Sequence, residues 1–545
     1  MGTRNLTFTD LLLVFIASLI PRLIAAFWLP NVFGDAYAYT EQIYYMRRSL
    51  LDGSFSLSNL FGFWLPLYQL ICASISTVTG SPFYVPKVVS ALCGSGACVL
   101  ICLLTWRLTS NRGLSLVTTA IAALNPYHIS YSSSAMTDVP HVFFLLLSAY
   151  CCMRHRWLLA SVGALAAGLI RIESWTLIPL IPVAQFLSQA AERSDVIPET
   201  KQVRSVWTRV LTSAALGLLL SAGPFFWLFV SWKATGSFWK YFEIRNNYIV
   251  ETLASSSWLA QFSLARISFD LLRLIYTTNP LVMYLSIALL VVTLTRRNRV
   301  TALSILKMCS QLRALLTTPS GLLLSFFFLH LTFLLAAYFT HNQPEIWPRY
   351  GLIFFTLGLP LAAERFMNMV TISSAWIPHT TIYRRFISVA ATLFALQFCA
   401  QLIDVTRMTV KSDPNAIAAE FLETQRQTDH KLKVYCEDGA IRVLSGIPLE
   451  EFRDQYNSPT DDDAFLNSLR ENDVRFLVYK DLPGSRLRSI VARIRARQGA
   501  GGIALEEVVP KPRAKPGQNV IVYRVHDREV AKVTKRQGQL RARQQ

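Results

Sequence analysis

The sequence predicts a polytopic α-helical membrane protein with a small α/β domain at its C-terminal end. Three observations carry this. The 545 residues are 52% hydrophobic and 16% charged, where soluble domains carry roughly 25% charged residues. Apolar runs approaching the length a spanning helix needs, about 20 residues, recur from residue 9 to residue 403. Beyond about Lys411 these runs stop, and short strand-like and helix-like segments alternate.

The candidate spans are 9–29, 86–106, 113–133, 139–153, 157–171, 175–189, 208–231, 280–295, 319–340, 350–364 and 385–403, about eleven in all. The first holds a single charge, Arg22, and lacks a small-residue cleavage site, so it reads as a retained helix and not a removed signal peptide. Several spans are short enough to need neighbouring helices. Residues 62–80 form a further apolar stretch. Counting it as a span would move every later basic link to the other side. It therefore reads as an amphipathic helix on the outer surface, with Trp64 and Tyr68 at the interface.

The net charge of +19 would suit a nucleic-acid partner, but its distribution argues against one. Basic residues gather in short links between apolar runs: Arg107 and Arg112, Arg154 and Arg156, Arg296, Arg297 and Arg299, Arg384 and Arg385. That is the pattern of cytoplasmic loops. With the N-terminus inside, the loops at 30–85, 134–138, 172–174, 232–279 and 341–349 fall outside, and so does the chain beyond the last span. The expected location is a cell's inner or plasma membrane. The expected domains are 1–404 in the bilayer, 411–530 as a soluble extracytoplasmic unit, and 531–545 as a basic tail near anionic lipid.

Within the soluble part, Lys431–Cys436, Val474–Tyr479 and Asn519–Arg524 read as strands, and Asp462–Leu469 and Ser485–Arg497 as helices. Gly499, Gly501 and Gly502 form a loop without a phosphate-binding fingerprint. The nine cysteines show no metal-ligand spacing, and Cys436 stands alone in this part, which excludes a disulfide within it.

On this topology the polar residues collect at the outer face. They are Asp35, Tyr37, Tyr39, Glu41 and Lys87; His128, Tyr131, Asp138 and His141; Arg171 and Glu173; Glu345, Arg349 and Tyr350. A carboxylate can deprotonate an incoming hydroxyl or amine, or hold a metal. Arginine and lysine bind a phosphate leaving group, arginine by its two-pronged fork. Together, at a lipid interface, they suit group transfer from a membrane-anchored phosphate. Simpler roles stand beside these. Arg171 and Glu173 can pair with each other, His128 and His141 can be satisfied helix-end histidines, Lys87 can snorkel, and Tyr37, Tyr39 and Arg349 can anchor the interface.

Several short motifs occur in order over the first 360 or so residues: Gly34-Asp35-Ala36-x-x-Tyr39, Trp64-Leu-Pro66-Leu-Tyr68, Asn125-Pro126, Thr137-Asp138-Val-Pro140, Ala167-Gly168-Leu-Ile-Arg171-Ile-Glu173, and Pro348-Arg349-Tyr350 with Pro360 following. The set resembles the GT-C glycosyltransferases, membrane enzymes that use polyprenyl-phosphate sugars. The closest branch holds the protein O-mannosyltransferases and the lipid A aminoarabinose transferase. The resemblance implies a hexosyl- or mannosyltransferase-like enzyme. It would move a sugar, with inversion, from the lipid carrier to a lipid, glycan or protein acceptor outside the cytoplasm. Asp35 would activate the acceptor and Asp138 would orient the reacting groups or a metal. Arg349, with Lys87 and Arg171 beside it, would hold the donor phosphate. Tyr37, Tyr39, His128, His141, Glu173, Glu345 and Tyr350 would line the substrates.

Two departures leave the subfamily and the need for a divalent metal unassigned. Ala36 stands where several relatives carry a second acid, and a single proline, Pro66, stands where two are common. Two other classes remain open. A lipid or sugar transporter would carry its ionisable groups near the bilayer midplane. A non-catalytic assembly subunit on the same scaffold would tolerate loss of Asp35.

Overall fold

In a computed structural model, Thr7 opens the first helix. The structure describes residues 5–31, 33–191, 199–255, 263–295, 313, 315–340, 342–343, 345–373, 380–411, 413–454, 458–459, 461–480, 487–495, 503–508 and 520–527. The basic link at 296–299, the glycines at 499, 501 and 502, and the tail at 531–545 lie outside these. Two compact units form: Met1–Leu29 with Ile43–Val405, and Pro30–Gln42 with Thr406–Gln545. Residues 30–42, expected with the membrane part, thus group with the C-terminal residues.

The first unit is helical. Its elements are α1 (Phe8–Trp28), α2 (Gly34–Leu51) from Ile43 onward, α3 (Leu67–Thr79), α4 (Val85–Thr109), α5 (Arg112–Leu124), α6 (Pro126–Ser132), α7 (Asp138–Met153), α8 (Trp157–Gly168), α9 (Leu177–Ala191), α10 (Glu199–Thr235), α11 (Lys240–Ser255), α12 (Leu264–Thr278), α13 (Pro280–Thr295), α14 (Pro319–Phe339), α15 (Pro348–Ser373) and α16 (Thr380–Lys411) as far as Val405. Thr7 and Asp10 cap α1 reciprocally, and Arg112 at the start of α5 pairs with Asp10 at 2.6 Å.

Among the described residues, six helices are long and apolar enough to cross a membrane, or seven if the bent pair α12–α13 counts as one. α3, α5, α7 and α8 are shorter apolar helices. The expected span at 113–133 is broken. Pro126 has no N–H and restricts the residue before it, so Asn125 turns extended and its side chain caps α6 by accepting from His128 N at 2.9 Å. The stretch at 62–80 becomes α3, whose 13 residues cover about 20 Å, too little for a hydrocarbon core of about 30 Å. Tyr68, Cys72 and Ala73 on one face are buried, while Val78 is 89% exposed. Residues 264–278, expected in a loop, form α12, which meets α13 at 90°.

Ile101 and Leu104 of α4, Leu145 and Leu146 of α7, Ala160 of α8, Val282 of α13, Phe327 of α14 and Phe354 of α15 share one apolar core. Large apolar side chains such as Leu218, Phe225, Leu264 and Leu272 face outward, as lipid contact requires of an integral multi-pass protein. α15 packs closely on α12. A Cβ on Gly351 would lie 1.9 Å from Thr277 Oγ1, so only glycine fits.

The second unit holds a five-stranded sheet in the order β2-β1-β3-β5-β4. β1 (Val434–Cys436) runs parallel to β2 (Phe452–Arg453) and β3 (Phe476–Lys480). β5 (Val520–Asp527) runs antiparallel to β3 and to β4 (Ile503–Glu507). Helices α17 (Asp413–Thr428), α18 (Gly439–Leu444), α19 (Asp462–Glu471) and α20 (Leu487–Arg495) accompany it. Phe465, Leu466 and Leu469 of α19 and Ile490 and Val491 of α20 pack with Tyr435, Leu477 and Tyr523 of the sheet.

Candidate active site

In the first unit, the chain leaves α8 and turns extended at Arg171 before the short 3-10 turn Ile172–Thr176. That geometry sends the Arg171 guanidinium to the first residue of α7. Arg171 Nη1 donates to Asp138 Oδ1 at 2.8 Å, and Nη2 and Nε donate to Glu173 Oε1 at 2.8 and 3.3 Å. Asp138 is 1% exposed. Its second oxygen, Oδ2, is buried and has no hydrogen-bond partner among the described residues. Burial opposes charge on Glu173, yet the Arg171 guanidinium holds its carboxyl below the usual carboxylate range.

Aromatic rings extend this cluster. The Arg171 guanidinium lies 5.5 Å from the centre of the Tyr350 ring, and that of Arg349 lies 5.8 Å from the same ring. Arg349 and Arg273 both approach the Trp347 ring, at 5.9 and 5.7 Å. Glu345 pairs with Arg266 at 2.8 Å, Arg266 also holds Asp270 at 2.8 Å, and Tyr338 donates to Asp270 at 2.9 Å. Glu345, Arg349 and Tyr350 therefore sit in one continuous array of cations, acids and rings with Asp138, Arg171 and Glu173.

His141, one turn into α7, shares a 2.8 Å hydrogen bond with Ser174. Its ring centre is 6.3 Å from that of His330 on α14. His330 Nδ1 donates to the Phe326 carbonyl at 2.9 Å.

Two expected residues serve structure in the first unit. Lys87 Nζ donates to the carbonyls of Ala26 and Leu29 at 2.9 and 2.7 Å, closing the C-terminal end of α1. His128 accepts from Arg22 Nη2 at 2.6 Å through Nδ1, so the buried Arg22 and His128 are hydrogen-bonded to each other. Arg171, expected to grip a phosphate, has three N–H contacts committed to Asp138 and Glu173.

Tyr131 is buried in α6, edge-on to Tyr127. The other four belong to the second unit. Asp35 lies in the first turn of α2, partly exposed. Tyr37 Oη donates to the Asn31 carbonyl at 2.7 Å, and Tyr39 is buried. Glu41 meets Arg442, with Nε 2.9 Å from Oε1 and Nη2 3.0 Å from Oε2.

Sequence reasoning missed Arg266, Asp270, Arg273 and His330. The signal for the first two was present, since Arg266 and Asp270 stand one turn apart on a stretch alternating polar and apolar with helical period. Among the described residues no group of three or more His, Cys, Asp or Glu is placed to hold a metal ion.

Residues 11–170 match the model of the dolichyl-phosphate-mannose-protein mannosyltransferase family. No curated protein matches the chain. Two crystal structures of ArnT from Cupriavidus metallidurans share the fold. The one bound to undecaprenyl phosphate has a TM-score of 0.53 and the apo form 0.55, each at 13% identity over 95% of this chain and 98% of that chain. Residues 11–170 are thus similar to that mannosyltransferase family, and the fold shared with the ArnT structures runs along nearly the whole length of the chain.

Proposed function

We propose that the protein transfers a sugar, with inversion, from a polyprenyl-phosphate carrier to a lipid, glycan or protein acceptor on the extracytoplasmic side of its membrane. The observation that carries this is the buried Asp138–Arg171–Glu173 set, joined through Tyr350 to Arg349. The undecaprenyl phosphate in the ArnT crystal structure supports the carrier class. Asp35 takes the proton of the acceptor hydroxyl or amine. The acceptor atom forms its bond to the anomeric carbon as the bond to the phosphate oxygen breaks, and the electron pair leaves with the lipid phosphate. Arg349 stabilises that charge by its fork. Asp138 keeps one oxygen available to orient the reacting groups or a divalent metal, while Arg171 fixes the other.

The test is release of polyprenyl phosphate from a labelled polyprenyl-phosphate sugar by the purified protein. Removing a general base loses about 10²–10⁴-fold in rate, so Asp35→Asn is expected to insert normally and lose turnover. Near-normal turnover in Asp35→Asn would end the base assignment, and no release by the purified wild-type protein would favour a non-catalytic subunit.

A further inference from the structure

We infer that Arg442, in the C-terminal unit, is a positioning residue for the helix that carries Asp35. The inference rests on the reading of Asp35 as the acceptor-activating acid. The segment Pro30–Gln42 belongs to the same compact unit as the C-terminal residues. Asp35 and Glu41 stand six positions apart on α2, about 240° around its axis at 100° per residue. A grip on Glu41 therefore acts on a different face of the helix from the one bearing Asp35.

That grip is built. The Arg442 guanidinium faces Glu41 through two contacts, 2.9 and 3.0 Å, and is itself held from the other side by Asp454. The Arg442 side chain is 13% exposed and that of Glu41 17%, so the pair is mostly out of water, where a hydrogen bond is worth more than at the surface. Gly439, at the start of α18, brings backbone against the carboxylate, since a Cβ there would lie 3.4 Å from Glu41 Oε1. The Tyr37–Asn31 hydrogen bond folds the entering loop onto the same helix. Arg442 touches no reacting atom in this scheme. It holds the 34–42 part of α2 within its own unit, and a misplacement of about 1 Å can cost on the order of 10²-fold in rate.

The experiment uses the full-length purified protein and a labelled polyprenyl-phosphate sugar. Glu41→Gln, Arg442→Gln, their combination, and Arg442→Lys are compared with Asp35→Asn. The expected result is a fall in kcat of about tenfold or more for each single glutamine variant, with donor KM changed by less than about threefold. The double variant should be no slower than the worse single one, and Arg442→Lys should recover part of the rate. Wild-type kcat in Glu41→Gln or Arg442→Gln, or losses that multiply in the double variant, would overturn the positioning role. Loss of folding in Arg442→Gln with wild-type kcat in Glu41→Gln and Arg442→Lys would also overturn it. If Asp35→Asn stays active, the acid assignment itself falls. If Asp35→Asn is dead while the others are normal, the positioning role alone falls.

Discussion

Arg171, in the turn after α8, and Asp138, the first residue of α7, meet through a 2.8 Å charge-assisted hydrogen bond that is mostly out of water. Glu173 takes the other prong of the same guanidinium. One cation thus serves two carboxylates, and the Tyr350 ring joins it to the Arg349 guanidinium. Breaking a buried pair by removing one partner costs about 3–5 kcal/mol. Arg171→Ala is therefore expected to lower the unfolding midpoint in detergent clearly. Arg171→Lys, a point charge that cannot serve both acids, should fold but lose transfer. Thermal unfolding and turnover of both variants check this, and wild-type behaviour of Arg171→Ala would show that the cluster is not coupled to stability.

Arg349 supplies the next test. Its guanidinium lies between the Tyr350 and Trp347 rings, which limits where the fork can point. Arg349→Lys keeps the charge and loses the fork, so donor KM should rise about tenfold, and further in Arg349→Ala. Competition by undecaprenyl phosphate measures it directly. Unchanged donor affinity in both variants would move the phosphate contact elsewhere, with Arg273 the nearest cation on the same Trp347 ring.

Gly351 connects packing to that site. Its missing Cβ lets α15 rest on Thr277 of α12, one and two positions beyond Tyr350 and Arg349. Gly351→Ala must push the helices apart, an overpacking cost of about 1–3 kcal/mol. The expected outcome is a lower unfolding temperature together with weaker donor binding. Recovery of both on adding Thr277→Gly, which removes the Cβ as well as the hydroxyl, would confirm the contact, and an unaffected single variant would refute it.

What was legible in the sequence follows from where the signals are local. Apolar runs of 20 residues gave α1, α4 and α14 nearly to the residue, because a lipid-facing helix must be apolar along its length. α12 was hidden because its buried face carries Arg266 and Asp270, which lower the apolar signal while pairing with each other. β2 and β4 were hidden for another reason. β2 is two residues long, and β4 ends in Glu506 and Glu507, so neither shows a strand pattern. Asp138, Arg171 and Glu173 were singled out by charge in an apolar setting. Their shared hydrogen bonds, and the commitment of Lys87 to the carbonyls of α1, depend on tertiary packing that spacing does not encode.

The second unit should show a pH-dependent stability traceable to Glu41. Burial, with Asp454 and Asp438 nearby, pushes its carboxyl up to about 7 against the pull of Arg442. Lys480 pairs with Asp438, so three carboxylates face two cations and the extra negative charge favours a proton on Glu41. A group whose pKa is raised on folding stabilises fully below its unfolded value, here 4.5, and that contribution is lost as pH rises through about 7. Thermal unfolding of wild type and Glu41→Gln between these limits should show a slope that the variant lacks. Equal slopes would mean Glu41 is ionised in the folded protein throughout.

Membrane sidedness is tested by cysteine labelling in a cysteine-free background. The basic links between apolar runs predict that they face the cytoplasm, while the C-terminal unit faces outward. Thr428→Cys, at the exposed end of α17, should react with a membrane-impermeant maleimide in intact cells. Asn298→Cys, within the Arg296–Arg299 link, should react only after permeabilisation. The physical reason is that each lipid-embedded helix pair returns the chain to the side it left, so one inverted link inverts all the others. Labelling of Asn298→Cys from outside, with Thr428→Cys protected, would reverse the orientation and place transfer on the cytoplasmic face. Labelling of both from outside would change the parity of spans between them and require α14, α15 or α16 to be recounted.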